Sequence, residues 1–206
     1  GNVAHAMLSV EAANKIYQKL WTKDRKGPWL DEICRTSRVR SGISMAMKEF
    51  AGAEEEIGRA MEHFTAQVNA DKLEYVDDLI LCYQQRGANF HRIGNQVRAA
   101  EEYGKQANTC KSLMEKHQGL DLRAALSQAA YKQGTLAAEQ KNYEQAYNSF
   151  EQAIVVYRHM VLEEGRHELG LPLADSYADR GKMLLGAGHA QNASEDLTQA
   201  YQVLTI

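Results

Sequence analysis

Seven histidines, three cysteines and 27 acidic side chains are the residues in this 206-residue chain that could do chemistry, so their spacing is the first question. The histidines are His5, His63, His91, His117, His159, His167 and His189, and none falls in an HExxH pair or a close Cys/His cluster of the kind that holds zinc. Joint ligation by His159 and His167 would require a helix break between them. No serine or cysteine stands beside a histidine in a nucleophile motif. "LLGAGH" (residues 184–189) has two glycines but lacks the strand, third glycine and lysine of a phosphate loop, and reads as a turn. The acidic run "EFAGAEEEIG" has the pattern of a solvated helix face. The expectation is a non-catalytic protein with no cofactor and no metal.

Cys34, Cys82 and Cys110 are odd in number and far apart, so they offer neither a disulfide framework nor a CxxC knuckle. They read as reduced thiols in a cytoplasmic protein. A net charge of -3 argues against a general nucleic-acid or anionic-membrane binder, and no apolar run approaches the roughly 20 residues that span a bilayer. With 44% hydrophobic residues, 25% charged residues and only 2 prolines, the chain is expected to be globular and helical.

The elements that position these side chains come from a repeat. "YQQRG", "YKQG" and "YADRG" place Gly87, Gly134 and Gly181 at equal spacings of 47 residues. Twelve residues after each glycine stands an alanine (Ala99, Ala146, Ala193), and four further on a large apolar residue (Tyr103, Phe150, Leu197). Three beyond those come Gln106, Ala153 and Ala200, the first of which breaks the small-residue rule. Upstream, Ser41 takes the glycine slot ahead of Ala53, Ile57 and Ala60, one residue short of the full period. One more step finds Ala6, Val10 and Ala13, half of a unit. The organisation is a lone helix followed by four helix pairs: a half repeat over 1–25 and repeats over about 26–70, 71–117, 118–164 and 165–206. "MKEF", "RIGN", "EQKN" and "GAGH" are the expected turns within pairs. Because it begins at Gly1 with half a unit, the chain reads as a segment of a longer protein.

This order of glycine, alanine, aromatic and alanine resembles the tetratricopeptide repeat, most closely in "YKQGTLAAEQKNYEQAYNSFEQAI". The family period is about 34 residues, so the resemblance is to a long-helix variant with one or two extra turns per helix. The linker "EEGRHEL" is similar to those of long bacterial arrays and, in proportion, of kinesin light chain. The resemblance implies an all-α, right-handed solenoid of antiparallel pairs, about nine helices in all, whose first helices line a concave groove. Carried over by register, the groove residues are Arg35 and Arg38; Gln84, Gln85, His91 and Arg92; Tyr131, Lys132, Thr135 and Glu139; Asp175, Asp179 and Lys182. Arginine forks, amides and a tyrosine suit an extended polar or acidic peptide. The family's lysine and asparagine clamp for a terminal carboxylate is absent, since Arg38, Val39 and Gly42 stand there.

The function expected from this reading is a protein or peptide interaction module, without nucleic-acid or membrane partners. A ligand- or peptide-sensing regulatory domain for an attached effector and a self-assembly module acting through terminal helices remain open beside it. Arg40, Arg86 and Arg180 share the position just before the glycine slot, where Gln133 replaces them in the third pair. They form either an anion-binding ladder or ion pairs with the acidic "EEE", "AEEY" and "EDL" segments, and the ion pair is the expectation.

Overall fold

A computed structural model describes residues 2–205. All regular structure among them is helical: α1 (Asn2–Lys23), α2 (Trp29–Ala46), α3 (Phe50–Asn69), α4 (Val76–Arg92), α5 (Gln96–Lys116), α6 (Arg123–Glu139), α7 (Tyr143–Leu162), α8 (Gly170–Gly186) and α9 (Ala190–Val203), with short 3-10 turns before α4 and α8. Consecutive helices pack as pairs, giving the all-α arrangement read from the repeat. The chain divides within α5 into two compact units, residues 1–102 and 103–206.

Each pair is closed by the same three-residue turn. Its middle residue has a left-handed backbone, with φ of 66° at Lys48, 77° at Gly94, 58° at Lys141 and 87° at Gly188. The third residue donates its N–H to a carbonyl five residues back, as Glu49 does to Ser44 and Asn142 to Ala137 at 2.9 Å. This satisfies the open carbonyls of the first helix in the manner of a left-handed C-cap. The carbonyl of the same third residue then accepts from the N–H of the repeat alanine: Glu49 from Ala53, Asn95 from Ala99, Asn142 from Ala146 and His189 from Ala193. That alanine therefore has a fixed place four residues into the second helix. "MKEF" makes the turn without glycine, so Lys48 carries a left-handed strain of about 1 kcal/mol that Gly94 and Gly188 avoid.

The glycine slot is a contact point. A Cβ on Gly134 would lie 2.9 Å from Phe150 Cδ1, and one on Gly181 would lie 3.2 Å from the Ala193 carbonyl oxygen. For Gly181 the other nearest atoms are Leu197 Cγ at 3.2 Å and Asp196 Cβ at 3.4 Å. Ser41 uses the same proximity differently: its hydroxyl donates to the Ala53 carbonyl at 2.7 Å. Gln106, the residue that departs from the small-residue rule, is fully buried, and its amide donates to the Ala125 carbonyl at 2.7 Å. That bond satisfies the amide nitrogen, while the buried Oε1 has no hydrogen-bond partner among the described residues.

Core filling follows the amphipathic stripes. In the second unit Phe150, Ile154 and Tyr157 of α7 are buried with Leu173 and Tyr177 of α8. Their counterparts 47 residues on, Leu197, Tyr201 and Leu204, are 43%, 71% and 61% exposed, because no further helix covers that side of α9 among the described residues.

Candidate interaction surface

The arginines before the glycine slot are ion-paired. Arg40 reaches Glu56 at 3.2 Å, and Arg86 reaches Glu102 at 3.8 Å with Glu54 as a second partner. Arg180 forms a two-pronged bridge to Asp196, with Nε to Oδ2 at 2.7 Å and Nη2 to Oδ1 at 2.8 Å, and also contacts Glu151. Each uses a carboxylate 16 residues ahead, on the second helix of its own pair. Burial works against the charge of Arg180, but the hydrogen bonds and charge of Asp196 outweigh it and hold the guanidinium pKa above its ordinary value. In the third pair the cation and its acid disappear together: Gln133 stands in the arginine position and Ser149 in the acid position. This row is a set of packing joints, as the acidic segments led one to expect.

The residues assigned to the groove fall on two faces, one in each unit. On α2 and α4, Arg35 is committed, its Nε donating to Asp78 Oδ2 at 2.9 Å and its Nη1 pairing with Glu32. Gln85 donates to Asn89 at 2.8 Å, Asn89 donates to the Ser41 hydroxyl at 2.8 Å, and so a polar chain runs from the face to the buried contact point. Gly42 leaves room for this: a Cβ there would lie 3.2 Å from Gln85 Oε1. Arg38 is half-buried, and its Nε has no hydrogen-bond partner among the described residues. Gln84 and His91 are half-buried beside it in sequence register, and Arg92 is exposed.

On α6 and α8, the Tyr131 hydroxyl donates to Asp179 Oδ2 at 2.6 Å, while Lys182 donates to the other oxygen at 2.8 Å. Burial, then the Asp179 hydrogen bond, raises the Tyr131 pKa, so the phenol remains a donor at neutral pH. Lys132 lies with Nζ 4.9 Å from the Tyr131 ring centre, a cation–π contact. Thr135 turns its hydroxyl onto the Tyr131 carbonyl at 3.1 Å, and Asp175 and Glu139 are exposed.

One constellation had no signal in the sequence. Asp31 accepts from the Tyr75 hydroxyl at 2.7 Å and lies 2.7 Å from His63 Nε2, joining the start of α2 to α3 and to the turn before α4. Its members His63 and Tyr75 lie 32 and 44 residues from Asp31. Both carboxylate oxygens are engaged, so the group works as a clip. Nearby Cys34 is pushed up to about 12 by burial and then by Asp31, which keeps it a thiol. Cys82 and Cys110 are likewise free and buried. Among the described residues no group of His, Cys, Asp and Glu is arranged to hold a metal ion. No helix there is long and apolar enough to cross a membrane.

No family model matches the chain, and no curated protein does. The fold is similar to the crystal structure of BtubC (BKLC) from P. vanneervenii, with a TM-score of 0.54 at 17% identity, covering 100% of this chain and 92% of that one. At this identity the likeness concerns the fold.

Proposed function

We propose that this chain is a tetratricopeptide-like interaction module, non-catalytic, whose first-helix faces bind a polar or acidic segment of another protein. The observation that carries the reading is Arg38. Its guanidinium is half-buried on the face shared with Gln85 and the α4 amides, and its buried Nε has no hydrogen-bond partner among the described residues, so this cation is not tied down by packing as Arg35 is. Lys132 supplies a cation on the second face, set over the Tyr131 ring. Packing consumes the arginines of the glycine slot, which leaves these residues as the accessible recognition chemistry. Three free, buried thiols fit a reducing cytoplasm. The bacterial setting rests on the resemblance of "EEGRHEL" to bacterial array linkers.

A displayed peptide library, selected on the chain and rescreened against an Arg38→Glu, Arg92→Glu, Lys132→Glu variant, tests this. Acidic peptides are selected, and the variant binds them at least about tenfold more weakly, the scale of one or two lost charge-assisted contacts. Undiminished binding of every selected peptide rules the faces out.

The exposed Leu197 and Tyr201 of α9, with Leu204 just after it, favour a second reading, self-association through that helix. Sedimentation at rising concentration then shows a dimer that Tyr201→Glu abolishes, whereas a monomer throughout excludes it.

A further inference from the structure

A cavity of about 380 Å³ opens among α1, α2 and α3, lined by Glu11, Ser44, Glu49, Glu55, Glu56 and Arg40, with Met7 and Met47 at its wall. It lies where the joint of the fourth pair is closed. There Arg180 is held between two carboxylates, Asp196 ahead of it and Glu151 29 residues behind. Glu11 stands the same 29 residues behind Arg40, yet among the described residues no ion pair joins them, and the cavity takes the place of that bond.

The buried carboxylate at its edge is incompletely satisfied. Glu56 is 6% exposed. Its Oε1 accepts from Arg40 at 3.2 Å and Arg59 at 2.8 Å, while Oε2 is buried with no hydrogen-bond partner among the described residues. A buried oxygen of this kind is costly unless a donor arrives. Four glutamates line the cavity against Arg40, with Arg59 at its edge paired to Glu55 at 3.6 Å and to Glu56 at 2.8 Å, and the remaining excess of negative charge favours a cation.

We infer that this cavity is a recognition site for an arginine side chain of a partner protein, the guanidinium donating to Glu56 Oε2 and to Glu11 or Glu55. A guanidinium fits better than an ammonium because carboxylates from two helices are presented to one planar fork, as they are around Arg180. This site lies outside the α2/α4 and α6/α8 faces and takes a partner of opposite charge to theirs, so the two sites succeed or fail separately.

The methionine methyls of Met7 and Met47 report on the cavity directly. In the full chain labelled at methionine methyl carbons, N-acetyl-arginine methylamide is titrated beside its neutral isostere, the citrulline analogue. Saturable shifts of Met7 and Met47 with arginine, at a Kd on the order of 1 mM, and none with citrulline, are expected. Glu11→Gln with Glu55→Gln changes side chains that are not buried, so the fold is retained, and weakens arginine binding about tenfold. Equal shifts with citrulline, undiminished binding in the double variant, or no saturable shift with arginine would each overturn the assignment.

Discussion

Replacing Arg180 by alanine is expected to destabilise the chain by about 3 kcal/mol, the cost of leaving a buried carboxylate without its counter-charge. The Arg180 and Asp196 side chains are only 10% and 8% exposed, and the bridge between them is two-pronged. Removing one partner strands the other in a low-dielectric site, and the lost packing of the guanidinium against Tyr147 and Tyr177 adds to the loss. The contrast that isolates the mechanism is the double variant Arg180→Met with Asp196→Leu. Removing both charges while keeping the volume should recover stability to within about 1 kcal/mol of the parent. Denaturant unfolding of the single and double variants measures both numbers. A single variant as stable as the parent would show that Asp196 is satisfied by other groups, and the ion-pair account of the joint would fall. The corresponding change at Arg40 should cost less, since Glu56 keeps a second counter-charge in Arg59 at 2.8 Å.

The second large effect is a change of sign for one substitution at two glycines. Glycine costs a helix interior about 1 kcal/mol relative to alanine, so Gly→Ala gains that amount wherever the methyl has room. At Gly58 in α3, nothing lies within 4 Å of the added Cβ, and the variant should be about 1 kcal/mol more stable. At Gly134 the methyl would press on Phe150 Cδ1 at 2.9 Å and Cε1 at 3.0 Å. Phe150 is 1% exposed and cannot retreat, so overpacking of about 1–3 kcal/mol outweighs the helical gain. The net expectation is a loss of about 1 kcal/mol for Gly134→Ala and a larger one for Gly134→Val. Thermal unfolding of the two alanine variants side by side decides the point. A Gly134→Ala chain that melts above the parent would mean that the helices separate freely at this contact, and the glycine slot would lose its packing explanation.

These expectations show how much the sequence already carried. The 47-residue period located the turns, and the structure puts a left-handed residue at the centre of each, even at Lys48 and Lys141 where no glycine announces it. A β-carbon penalty of about 1 kcal/mol is small beside the packing of a helix pair, so the turn type is imposed by the pair and not by its residues. The arginine row was legible for a similar reason: cations at one phase and acids 16 residues on recur together, and both are absent from the third pair. Asp31, His63 and Tyr75 were not legible, because one contact set drawn from α2, α3 and the following turn has no repeating counterpart to reveal it.

The division of labour among the groove residues shows the same boundary. Residue type and register named Arg35, Arg38, Asp179 and Lys182 as one class, polar positions on first helices. Only the tertiary structure separated them, by bringing Asp78 to Arg35 and Tyr131 to Asp179 while leaving Arg38 Nε without an acceptor. Whether a polar side chain is a joint or a free hand depends on which group reaches it across 43 or 48 residues of chain, a distance at which local pattern carries no information. Helix periodicity and turn phase are short-range properties, repeated every 47 residues, and the sequence by itself determined them. The pairing of charges, the uncovered face of α9 and the open cavity beside Glu56 are products of packing, where a single ångström decides between a bond and a gap.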